Sequence, residues 1–165
     1  MSWDVIGVDR TEEGFTQAAA FDCRGGLIRF PYRVRDSFLS PAEISFFHVL
    51  KGVLGPQHHL ISKVNLFDLL YVEKPHLNQA AINRIDRKHV DFVVCDAATM
   101  QPLLAIELDD SSHNSAKARE TDAFKDEVFK AAGLPLLRVP AGYSYQSRDL
   151  QERIDGALRR TLSPR

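Results

Sequence analysis

The chain has 165 residues, 44% of them hydrophobic and 26% charged, with 21 Lys and Arg against 22 Asp and Glu for a net charge of −1. That length suits one domain with one sizeable core, and the composition is that of a soluble globular protein with no apolar run near the ~20 residues needed to cross a bilayer. A protein living on nonspecific DNA contact is usually more basic, so any nucleic-acid contact must use a local patch.

The start, "MSWDVIGVDR", lacks the basic residues and long apolar stretch of a signal peptide. Cys23 and Cys95 lie far apart with no CxxC spacing, which argues against a zinc ribbon or a disulfide framework and suits a reducing cytoplasm. Residues 1–39 hold a small apolar stretch from Ala18 to Phe21, a Gly25-Gly26 turn and the basic, extended "LIRFPYRVRD". They are expected to form an arm packed on a single domain spanning 40–165.

The first helix signal is "SPAEISFFHVLKGVLG". Ser40 suits the N-cap, Pro41 the first helical position and Glu43 the third position of a capping box. Ile44, Phe47, Val49, Leu50, Val53 and Leu54 recur at roughly helical spacing, and Gly55-Pro56 ends the run. "HLISKVNLFDLLYV" is rich in branched and aromatic residues and predicts a strand, bent near Asn65. The polar segment Glu73 to His89 reads as a long connection. "VDFVVCD" and "LLAIELD", separated by "AATMQP", predict a hairpin. A charged amphipathic helix is expected over Ala116–Ala132, with Phe124, Val128 and Phe129 on its apolar side and Gly133 as its stop. "LPLLRVP" predicts another buried strand and "RDLQERIDGALRRTL" a last helix. The order is that of an α/β protein: a central mixed sheet flanked by helices, with a right-handed parallel crossover from Leu103 to Val139.

The stretch "IELDDSSH" (Ile106 to His113) puts three carboxylates and an imidazole behind an apolar run. Strand alternation sends Glu107 and Asp109 to one face while Ile106 and Leu108 enter the core. If the hairpin loop runs from Asp96 to Pro102, Cys95 opposes Leu103 and Asp91 opposes Glu107, with Cβ atoms ~5 Å apart. Acids so close either form a solvated strand end or share a cation, for which Mg²⁺ or Mn²⁺ on oxygen ligands is the natural candidate.

"VDFVVCD…LLAIELDDSSH" resembles the core of the PD-(D/E)XK, or restriction-endonuclease-like, nuclease superfamily, whose αβββαβ order the expected elements share. "NRIDRKHVDFVVCD", "IELDDSSH" and "AAGLPLLRV" together resemble, over roughly residues 30 to 160, the bacterial domain-of-unknown-function family 2726, assigned to that superfamily. The resemblance implies that Asp91 and Glu107 are the metal-holding aspartate and glutamate of a phosphodiesterase. The superfamily's lysine, two residues after the glutamate, is here Asp109. An E-x-D with a histidine four residues on is instead similar to the very-short-patch repair endonucleases.

The candidate catalytic residues are thus Asp91, Glu107, Asp109 and His113, with Asp91 and Glu107 as metal ligands. His113 would serve as base or hold the water, or else bond Asp110 or the helix start. Asp109 would be a further ligand or orient a neighbour. Arg84, Arg87 and Lys88 in "NRIDRKH" would bind nucleic-acid phosphates at the mouth of the site, or form an exposed charged loop. Lys63 on the preceding strand could also reach phosphate, although strand-edge lysines more often block aggregation. A capping box accounts for Glu43 without a site role, and Asp122, one helical turn back, is the expected partner of Lys125. Asp110, Ser111 and Ser112 suit capping of the next helix. Two functions stand foremost, ahead of hydrolysis of some other phosphodiester or nucleotide. One is a cytoplasmic Mg²⁺- or Mn²⁺-dependent hydrolase acting on DNA or RNA; the other is an inactive module of the same fold that binds nucleic acid or a protein.

Overall fold

The computed structural model describes residues 20–21, 27–28, 32–109, 116–142 and 144–161, and the chain divides into two compact units, 1–38 and 39–165. In the first unit β1 (Ala20–Phe21) pairs antiparallel with β2 (Leu27–Ile28). Most of the arm expected over 1–39 lies outside the described residues, as do Asp110, Ser111, Ser112 and His113.

The second unit opens with α1 (Pro41–Val53), and its start is the capping box expected. Ser40 Oγ accepts from the Glu43 N–H at 3.3 Å, and Glu43 Oε2 accepts from the Ser40 N–H at 2.7 Å. Two otherwise unpaired backbone donors are satisfied there. The face that enters the core carries Phe46 and Leu50, while Ile44 stays exposed.

Two expectations between α1 and the hairpin are corrected. The strand β3 (His58–Asn65) does not bend and continue to Val72 but stops at Asn65. The Asn65 side chain accepts from the Phe67 N–H at 2.8 Å and caps a helical turn, α2 (Leu66–Leu69). The segment 73–89 is no plain connection, since it contains α3 (Gln79–Ile85), anchored through buried Ile85.

The hairpin of β4 (His89–Asp96) and β5 (Pro102–Asp109) is present. Asp96 Oδ1 holds the turn by accepting from the Ala98 and Thr99 N–H groups and the Thr99 hydroxyl. Phe92 pairs with Ile106, Val93 with Ala105 and Val94 with Leu104, the register expected. A shift between Val94 and Cys95 then pairs Cys95 with Pro102 rather than Leu103. Next come α4 (Ala116–Ala132), β6 (Leu136–Pro140) and α5 (Ser147–Thr161). Gly133 ends α4 with φ 72°, a conformation that costs glycine nothing.

The sheet is open, four-stranded and mixed, ordered β3-β4-β5-β6, with β6 parallel to β5 and the other neighbours antiparallel. Helices cover both faces. Phe46 and Leu50 of α1 and Leu150, Ile154 and Ala157 of α5 pack on Phe92, Val94, Leu104 and Ile106. Leu66 of α2, Ile85 of α3 and Phe129 of α4 pack on Val90, Val93, Cys95 and Ala105 of the other face. Among the described residues no helix is long and apolar enough to cross a membrane.

One irregularity positions the site. Ser62 pairs with Phe92 and Val64 with Val90, so the β3–β4 register is the same on both sides of Lys63 and Asp91. Yet Leu60, Phe92 and Val94 pack with the first core while Val64 and Val90 pack with the second. Lys63, at φ 57°, marks the place where the alternation breaks. Lys63 and Asp91 stand opposite one another at that break, and Lys63 Nζ lies 3.7 Å from Asp91 Oδ1.

Candidate functional site

The C-terminal ends of β3, β5 and β6 and the N-terminal end of β4 lie at one end of the sheet. The ionisable side chains there form two linked clusters. In the first, Asp91 Oδ2 accepts from the Leu108 N–H of β5 at 3.0 Å, and Asp91 Oδ1 lies 3.7 Å from Lys63 Nζ. The same ammonium donates to Glu43 Oε1 on α1. Glu43 therefore has two duties, one oxygen closing the capping box and the other facing Lys63. It is 9% exposed.

In the second cluster Glu107 is 5% exposed and both its oxygens are engaged. Lys125 of α4 donates to Oε1, and Arg138 of β6 lies 3.3 Å from Oε2. Arg138 also bonds Asp109 at 2.8 Å, Asp122 at 3.4 Å and Asp126 at 3.0 Å. The parallel register sets Glu107 beside Arg138. Asp109, two residues on, shares that face, as alternation requires.

Burial pushes the carboxyl of Asp91 above its ordinary pKa; the Leu108 N–H and Lys63 oppose this, while the charge of Glu43 reinforces it. Burial likewise raises Glu107 against the pull of Lys125 and Arg138, and the charge of Asp91 adds to the rise. Burial acts upward on Glu43 too, but there the Lys63 and Ser40 hydrogen bonds prevail and the pKa falls. Around Arg138 desolvation is outweighed by Asp126, Asp109 and Glu107, which hold the guanidinium firmly charged.

Of the candidates named from sequence, Asp91, Glu107 and Asp109 gather at this end. They do not make one three-acid surface: Asp91 turns to Lys63, whereas Glu107 and Asp109 share Arg138. Among the described residues no group of three His, Cys, Asp or Glu side chains is arranged to hold a metal ion. His113 lies outside the described residues. Arg84 and Lys88 meet at the Phe124 ring of α4, 4.0 Å and 5.6 Å from its centroid, and Arg87 is exposed.

Four residues join the site that sequence spacing had not assigned to it. Glu43 looked fully explained by its cap, and Lys63 by its place on an edge strand. Lys125 does not pair with Asp122; Arg138 takes Asp122, and Lys125 turns inward to Glu107. Arg138 itself sits in an apolar run, "LPLLRVP", where a lone arginine at an interior strand position was the available signal.

A family model described as "Protein of unknown function (DUF2726)" matches residues 35–158. No curated protein and no solved structure matches the chain.

Proposed function

This chain belongs to the DUF2726 family, and from its site we propose that it is a metal-dependent nuclease that hydrolyses phosphodiester bonds in DNA. One observation carries the reading: the half-buried carboxylate of Asp91 and the buried one of Glu107, on adjacent strands, with the ammonium of Lys125 on the latter. The order α1, β3, β4, β5, α4, β6 supports a restriction-endonuclease-like core for the same reading.

The two acids fit a Mg²⁺ or Mn²⁺ ion. Such an ion takes one or two carboxylates and completes its shell with water and phosphate oxygens, so a third protein acid is not required. Each acid is also held above its ordinary pKa by burial and each feels a neighbouring carboxylate, an arrangement that a bound cation relieves. Bound there, the metal would polarise the phosphate and acidify a water.

The remaining chemistry belongs to the chain's own side chains. Lys125 supplies the cation that the superfamily pattern places two residues after the glutamate, and it does so from α4. Its ammonium offsets negative charge beside Glu107 and is available to developing charge on the phosphate. Arg138 holds Glu107 Oε2 and Asp109 together, orienting Glu107 and removing Asp109 from direct chemistry. The Leu108 N–H fixes Asp91 Oδ2 and leaves Oδ1 toward Lys63 and the site.

A second reading, a non-catalytic module, is favoured by the cations already on these acids: Lys63 near Asp91, and Lys125 and Arg138 on Glu107. Incubation of purified protein with single- and double-stranded DNA and Mn²⁺ separates the two. The nuclease reading expects cleavage that an Asp91→Ala, Glu107→Ala double variant loses. Equal residual cleavage in wild type and variant, or none in either, leaves the module.

A further inference from the structure

A groove of about 730 Å³ runs between the α2–α3 segment and α4, lined among others by Leu69, Tyr71, Val72, Arg84, Phe124 and Val128. Two features set it apart from an ordinary surface crease. Tyr71, in the lining, is 83% exposed, so a large aromatic side chain stands in water at the groove, and Leu77 farther along the same segment is 71% exposed. Two cations meet at the Phe124 ring, Arg84 from the groove lining and Lys88, and exposed Arg87 is their neighbour in sequence. Glu73 is the acid in the lining.

We propose that this groove binds single-stranded nucleic acid and delivers it to the site at the sheet end. Exposed Tyr71 shares the groove with Arg84, whose guanidinium lies over the Phe124 ring, and such a surface suits unpaired bases, whose faces are free to stack while their phosphates meet cations. In a duplex those faces are occupied by neighbouring bases, so Tyr71 would find no partner. Two elements link the groove to the site, although the lining also runs to Gln101, Pro102 and Leu134 at the opposite end of β5. Phe124 lines the groove and its neighbour Lys125 bonds Glu107; Lys88 borders the groove and leads into β4, which carries Asp91 three residues on. A net charge of −1 over the chain leaves such a local patch as the means of contact. The proposal rests on the nuclease reading for what happens to the strand, and on Tyr71 and the cations for the binding itself.

The test is fluorescence anisotropy with a labelled single-stranded oligonucleotide and its duplex, in EDTA so that nothing is cleaved. Wild type is expected to bind the single strand more tightly than the duplex. Tyr71→Ala should weaken single-strand binding about ten-fold, the size of one lost base–aromatic stack, while Tyr71→Phe restores it. Because Tyr71 is so exposed, neither change disturbs the core, and circular dichroism checks this. No preference for the single strand, or unchanged binding by Tyr71→Ala, overturns the proposal. So does a Tyr71-dependent self-association in sedimentation without nucleic-acid binding, which assigns the groove to a second copy. Mn²⁺-dependent cleavage is measured separately. Tyr71-dependent binding without Asp91-dependent cleavage leaves the groove standing and removes the nuclease; cleavage with Tyr71-independent binding does the reverse.

Discussion

Lys125 and Asp91 carry the sharpest consequences at the scale of single residues. Lys125 brings a mostly buried ammonium to a carboxylate that is itself buried, and a buried ion pair contributes little net stability against well-packed apolar side chains. Its value is therefore better sought in chemistry. Lys125→Met keeps the stem and removes the charge, and the expected loss of Mn²⁺-dependent cleavage is about 10²-fold, the scale of one lost transition-state donor. Single-turnover rates on a saturating DNA substrate check it, with thermal melting to confirm the fold. Asp91 makes a pH prediction. Its folded pKa is raised, so its contribution to stability is fully present below its unfolded value of about 4 and is lost as pH rises through the folded value. Asp91→Asn removes that loss, so the melting temperature of the variant minus that of wild type should climb as pH rises from about 4 toward neutrality. Added Mn²⁺ should raise the neutral-pH melting temperature of wild type and leave Asp91→Asn unmoved. A pH-independent difference would mean that burial does not strain this acid. The sequence made Asp91 and Glu107 legible because each sits at the end of an apolar run on one arm of a hairpin, and the register expected from the loop holds where Phe92 pairs with Ile106. It hid Lys125, because Asp122 one turn back is a sufficient local partner, and only the parallel placement of β6 gives Asp122 to Arg138 instead.

At the scale of elements, β3 shows how a local irregularity builds the site. A non-glycine residue at φ 57° in mid-strand costs about 1 kcal/mol, and such strain persists where the surroundings demand it. Here the surroundings are Glu43 and Asp91, which both face the Lys63 ammonium. Lys63→Ala and Lys63→Gly remove the ammonium equally but differ in strain. Glycine should therefore be the more stable of the two, by about 1 kcal/mol in urea unfolding, although glycine in an ordinary strand position weakens it. Alanine equal to or above glycine would show the backbone to be unstrained. The same element explains what the sequence kept back. Ser40-Pro41-Ala42-Glu43 signals a helix start through contacts within four residues, and the crossover from β5 through α4 to β6 follows from period changes alone. Asn65 caps α2 from inside a branched, aromatic run that has the composition of a strand, so the stop there was masked. α3 has only seven residues, too few for helical periodicity to show, and it is held by Ile85 against a core formed by residues far away in sequence.

At the scale of the whole molecule, near-neutrality becomes a quantitative constraint. With 21 cations against 22 acids the chain has no net positive charge to hold a polyanion, and the proposed binding rests on Arg84, Arg87 and Lys88. For a single strand each neutralised phosphate contributes roughly −0.7 to the slope of log K against log salt. Three cations therefore predict a slope of about −2, measured by titrating the oligonucleotide at a series of NaCl concentrations. Arg87 is the cleanest of the three to remove, since Arg84 and Lys88 also pack on Phe124. Arg87→Ala should bring the slope to roughly −1.4 and leave the contribution of Tyr71 intact, because stacking carries no counterion. A wild-type slope near zero would mean that stacking alone holds the strand. A slope steeper than about −4 would mean that cations elsewhere in the chain engage it, and the path along α3 and α4 would then have to be redrawn.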